Sequence, residues 1–86
     1  MLEAPSGTGH DSDRCGRLSP REVEVLDMTS LGLTNEQVAA RLHVTVHAVK
    51  FHLASIYRKL GVTNRTEAAV VYLRAGAASR AVEETG

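Results

Sequence analysis

The chain has 86 residues, enough for one domain, with 43% hydrophobic residues and only three aromatics, Phe51, Tyr57 and Tyr72. A core built from Leu, Val, Ile and Ala in so short a chain is modest and leaves little interior for an enclosed active site. Formal net charge is zero, but from Gln37 to Thr66 the chain carries Arg41, Lys50, Arg58, Lys59 and Arg65 and no Asp or Glu, a local patch able to neutralise phosphates.

Met1 to Arg17 is polar and includes Pro5, Ser6, Gly7, Thr8 and Gly9, a composition that reads as a flexible arm or linker over 1–17. The folded unit is expected over 18–76, followed by a second flexible tail over 77–86. The single cysteine, Cys15, lies in the arm and excludes an intramolecular disulfide, which suits a reducing cytoplasm. No apolar run has the length of a membrane span, and no signal-peptide pattern opens the chain. A cytoplasmic protein without a membrane partner is expected.

Four helix starts can be read in chain order. Ser19-Pro20-Arg21-Glu22 is a capping box with proline at the first helical position, opening a helix that carries Val25, Leu26 and Thr29 inward and stops at Gly32. Thr34-Asn35-Glu36-Gln37 is a second box, followed by Val38, Ala39 and Leu42 on one face. Thr45 caps a third helix that runs to about Leu60 and is stopped by Gly61. Asn64-Arg65-Thr66-Glu67 opens a fourth, expected to end near Gly76. No segment alternates as a strand does, so the class is all-α. Only His43, Val44 and Thr45 separate the second and third helices, which forces the sharp connection of a helix-turn-helix.

The third helix carries the chemistry. With Val49 at zero and a step of about 100° per residue, Leu53, Ile56 and Leu60 fall within about 40° of it, flanked by Val46 and Tyr57. The opposite face holds His47, Lys50, Phe51, Ala54, Ser55 and Arg58 and no acid. A phenylalanine left outside forgoes roughly 1.5–3 kcal/mol of burial, which points to a contact surface. Phe51 suits a thymine methyl, and Lys50 can donate to guanine O6 and N7. Small Ala54 and Ser55 permit close approach to a groove, and Arg58 and Lys59 have the length to reach phosphates.

Taken together, the run from Leu18 to Leu26, the run from Gly32 to Ala39, Val49-Lys50-Phe51-His52, and Lys59-Leu60-Gly61-Val62-Thr63-Asn64-Arg65 closely resemble the LuxR-type helix-turn-helix domain, also called FixJ- or NarL-type, of bacterial transcription regulators. The resemblance covers Leu18 to about Gly76. It implies a four-helix domain that binds double-stranded DNA with its third helix in the major groove and pairs through its fourth. Position by position, it implies base contacts from Lys50, Phe51 and Ala54. It implies phosphate contacts from Thr34, Asn35, Thr45, His47, Arg58, Lys59 and Arg65. His47 and Ala48 stand where the family often has two hydroxyl residues, and Ala54 is often longer in relatives, so the target sequence is expected to differ.

In the fourth helix, Ala68 to Leu73 is apolar on every side, so one face packs on the domain while the other, near Val70 and Leu73, is expected to form a homodimer contact on DNA. RNA polymerase is a further expected partner. The promoter-reading fourth region of a sigma factor shares the opening motif, but the Lys59-Leu60-Gly61-Val62 stop and a complete fourth helix favour the LuxR type. A protein-interaction or dimerising module of the same fold is the alternative function.

His43, His47 and His52 lack a second cysteine or clustered carboxylates to complete a zinc shell, so no metal or other cofactor is expected. Glu22 and Glu67 are explained as capping partners and Cys15 has no nearby base, so no enzyme is expected. The chain carries neither a receiver nor a signal-binding pocket domain. It is read either as the output domain of a longer response regulator or as a stand-alone regulator.

Overall fold

A computed structural model describes residues 13–85, with side chains through Gly76. Four helices follow in order: α1 (Pro20–Ser30), α2 (Asn35–Leu42), α3 (Val46–Leu60) and α4 (Arg65–Thr85). Among the described residues there is no strand, and the all-α expectation holds. A helical turn at 13–15 precedes α1. Residues 1–12 of the expected arm lie outside the described residues. Cys15, placed by sequence in a flexible arm, packs half-buried against the core beside buried Leu18.

Local chemistry sets each boundary. Ser19 Oγ accepts from the Glu22 N–H at 3.1 Å, and Glu22 Oε1 accepts from the Ser19 N–H at 2.8 Å. Thr34 and Gln37 repeat this box at α2, with distances of 3.1 and 2.8 Å. Both boxes satisfy backbone donors that a helix start leaves unpaired. Thr45 Oγ1 accepts from the Ala48 N–H at 3.0 Å and caps α3, as expected. Gly61 closes α3 in the left-handed region with φ 71°, where a glycine avoids the Cβ penalty.

At the start of α4 the bonding is displaced by one residue. Asn64 Oδ1 accepts from the Glu67 N–H, but Glu67 Oε1 reaches back to the N–H and hydroxyl of Thr63. These bonds hold the Glu67 carboxyl below its ordinary range. The helix also continues past Gly76, its expected end, to Thr85. A lone glycine costs a helix only about 1 kcal/mol relative to alanine, and Ala75, Ala77 and Ala78 around it are strong helix formers with no proline to stop the run.

α1 packs against each of the other three helices, and α2 packs on α3. The core draws Val25 and Leu26 from α1, Val38 and Ala39 from α2, Val49, Leu53, Ile56 and Leu60 from α3, and Ala68 and Val71 from α4. The 3.6-residue spacing of these positions makes one buried stripe per helix. On α3 that stripe decides which residues face outward.

Candidate nucleic-acid interface

The α2–α3 connection is three residues long and turns at His43, whose φ of 59° and ψ of 43° lie in the left-handed region. The His43 and Val44 N–H groups both return to Ala39 O, closing α2 before Thr45 caps α3. A non-glycine residue in this conformation costs about 1–2 kcal/mol, so the packing of α2 on α3 imposes the turn.

With Val49, Leu53, Ile56 and Leu60 buried, the opposite side of α3 is left to solvent. His47, Lys50, Phe51, Ala54 and Arg58 are all exposed. Phe51 is 71% exposed, and its ring makes an edge-to-face contact with the ring of half-buried His52 at 6.3 Å. No carboxylate within the described residues forms an ion pair with this face. The Lys50 ammonium, the Phe51 ring and the small Ala54 side chain therefore form one convex, acid-free strip.

The residues assigned by resemblance to phosphates fall into two groups. Thr34, Thr45, His47 and Arg58 are exposed. Thr34 and Thr45 sit at the starts of α2 and α3, where helix dipoles and free N–H groups favour anions. Asn35, Lys59 and Arg65 are half-buried and bonded within the protein. Arg65 donates to Leu33 O at 2.6 Å and to Asn35 Oδ1 at 2.7 Å, tying the start of α4 to that of α2. Lys59 Nζ donates to Glu22 Oε1 at 2.8 Å.

Glu22 is the residue whose role the sequence shows only in part. It is 5% exposed, and besides its part in the capping box it accepts from Ser55 Oγ at 2.6 Å and from Lys59. Burial opposes its ionisation, but the bonds from Lys59, Ser55 and the Ser19 N–H outweigh that and hold its pKa at about 2. Ser55, expected on the open face, is turned to this carboxylate instead. Neither contact has a local signature, because 33 and 37 residues separate the partners in sequence.

On α4, Ala68, Val71 and Ala75 are buried, while Val70 and Leu73 are 42% and 55% exposed. Leu73 and Tyr72 face Leu31 and Asp27 across a shallow groove at the end of α1, and the Tyr72 hydroxyl donates to Asp27 Oδ1 at 2.8 Å. Among the described residues no cluster of three or more metal-ligating side chains occurs, and no helix is long and apolar enough to cross a membrane.

A helix-turn-helix with a capped, outward-facing third helix defines a class of DNA-binding fold. Residues 16–72 match the family described as bacterial regulatory proteins, luxR family, and the chain belongs to that family. It is 42% identical over 59 residues to the transcriptional regulatory protein LnrK of Bacillus subtilis, covering 69% of this chain and 27% of the relative. It is 35% identical over 66 residues to the nitrate/nitrite response regulator protein NarP of Escherichia coli, covering 77% and 31%. To the transcriptional regulatory protein ComA of Bacillus subtilis it is 39% identical over 54 residues, covering 63% and 25%. The chain thus spans about a quarter to a third of the length of these relatives.

Proposed function

We propose that this chain binds double-stranded DNA sequence-specifically and regulates transcription, with α3 lying in the major groove. The observation that carries this reading is the strip formed by Lys50, Phe51 and Ala54, exposed on a helix whose outer face bears no acid. Lys50 donates to a guanine edge, Phe51 packs on a thymine methyl, and Ala54 admits the base edge closely. Thr34, Thr45, His47 and Arg58 contact phosphates beside the groove. Asn35 and Arg65 contribute there through donors left over from their bonds inside the protein, whereas the Lys59 ammonium is engaged by Glu22.

Residues 18–76 are the centre of the DNA-binding unit, with Cys15 packed on its core and the last helix running on to Thr85. Exposed Val70 and Leu73 on α4 provide the contact between two copies on DNA. The chain acts in the cytoplasm, without catalysis, as the output end of a regulator that meets RNA polymerase at its promoters. Its relatives' names, which include two transcriptional regulatory proteins and a response regulator, support this role. A purely protein-binding module would draw support from the apolar patch around Leu31 and Leu73, but it leaves the acid-free face of α3 without a use.

Selection from a random duplex pool tests the proposal. Enrichment of two related half-sites about one helical turn apart is expected. A pool that emerges without a shared sequence would count against it.

A further inference from the structure

The two capping boxes of this domain do the same work with different residues. At α2 a neutral Gln37 closes the box at 2.8 Å; at α1 an ionised Glu22 closes it at the same 2.8 Å. Capping therefore does not require a charge at residue 22. Yet Glu22 is 5% exposed, and burying a carboxylate is costly unless charge partners offset it. The excess charge is spent on α3, where Ser55 and Lys59, one turn apart, both bond to it at 2.6 and 2.8 Å.

Resting on the DNA-reading proposal, we infer that Glu22 is a positioning residue for base recognition: its carboxylate fixes the rotation of α3 about its own axis and withholds Lys59 from DNA phosphates. Ser55 and Lys59 lie on one flank of α3, between the buried stripe of Val49, Leu53, Ile56 and Leu60 and the outward strip of His47, Phe51, Ala54 and Arg58. The apolar stripe holds α3 against the core but is non-directional, so small rolls of the helix change its burial little. Hydrogen bonds to one flank oppose such rolls. With side-chain tips roughly 5–6 Å from a helix axis, a roll of about 10° moves a reading atom by roughly 1 Å. Recognition geometry tolerates only about 0.5 Å. Lys59, held by Glu22, adds no loosely placed cation to the interface, so sequence-blind attraction stays low beside base reading.

The test measures affinity for a selected duplex and for a scrambled duplex of the same length, across a salt series, for the wild type and for Glu22→Gln. The glutamine retains the cap, as Gln37 does at α2, and circular dichroism checks that the helices persist. The ratio of the two affinities is expected to fall about tenfold, comparable to losing one base contact. Binding to the scrambled duplex should strengthen, and its salt slope should steepen by about one unit as Lys59 is released. Adding Lys59→Met to Glu22→Gln should return the slope to the wild-type value while the ratio stays low. Ser55→Ala, a milder change, should lower the ratio about threefold in the same direction. An unchanged ratio in both Glu22→Gln and Ser55→Ala, with only thermal stability reduced, overturns the inference and leaves DNA reading intact. A wild-type protein that does not distinguish the two duplexes overturns both.

Discussion

Arg58 and Lys59 are neighbours in the chain but serve different surfaces of α3. The Lys59 ammonium lies 2.8 Å from a buried carboxylate oxygen of Glu22, whereas the Arg58 side chain is exposed and its guanidinium has no ion-pair or hydrogen-bond partner among the described residues. The division follows from a 100° step between successive residues on a helix whose buried stripe is already set. Of these two cations, Arg58 alone has its full set of donors available to a phosphate.

Replacing Arg58 by alanine should therefore weaken every duplex to a similar degree and reduce the salt slope of binding by about one unit. Affinities measured at several salt concentrations on selected and scrambled duplexes check this. A loss confined to the selected duplex would move Arg58 into the base-reading set.

Lys50→Ala has a different expected signature. It should cost about 1–3 kcal/mol on the preferred duplex and flatten the preference at a single base position. A panel of duplexes with one base pair changed at a time measures this. Full discrimination in the variant would remove Lys50 from the readers.

Much of this arrangement is legible in sequence because it is local. The Ser19 and Thr34 boxes, the Thr45 cap and the apolar stripe of α3 each lie within a few turns of chain, where helical period and backbone valence dictate the outcome. The outward position of Lys50, Phe51 and Ala54 follows directly from that stripe. What the sequence does not disclose is non-local. Ser55 reads as an open-face residue and Lys59 as a free cation, and only the packing of α1 across α3 brings Glu22 to both. Arg65, whose guanidinium spans to Leu33 and Asn35, is hidden for the same reason. The end of α4 escaped because Gly76 is a weak stop among alanines.

Acid should destabilise the domain through Glu22. Its pKa is about 2 in the folded protein against an ordinary 4.5, so its bonds stabilise the fold fully above the ordinary value. That stabilisation is lost as pH falls from about 4.5 through about 2, and amounts to about 3 kcal/mol. Denaturant unfolding of wild type and Glu22→Gln across this range should show a steeper acid limb in the wild type. Parallel acid limbs would contradict this assignment.

At the turn, His43→Gly should stabilise the fold by about 1 kcal/mol, because glycine enters the left-handed region without the Cβ penalty. A higher denaturant midpoint with an unchanged slope is the expected result. A lower midpoint would mean that the imidazole makes a contact that outweighs the backbone strain.

For the α4 surface, Leu73→Glu replaces a residue that is 55% exposed and should alter monomer stability by no more than about 0.5 kcal/mol. Affinity for a duplex with two half-sites should nevertheless fall, while affinity for a single half-site remains. Equal losses on both duplexes would place Leu73 outside the contact between copies.

Contact between the cationic outer side of α3 and DNA is read out by titrating a selected duplex at 50 and 200 mM salt. Two copies engaging phosphates through Arg58 and Arg65 should lose affinity on the order of a hundredfold between these concentrations. An affinity that stays constant across them would mean that α3 does not bind a phosphate backbone at all.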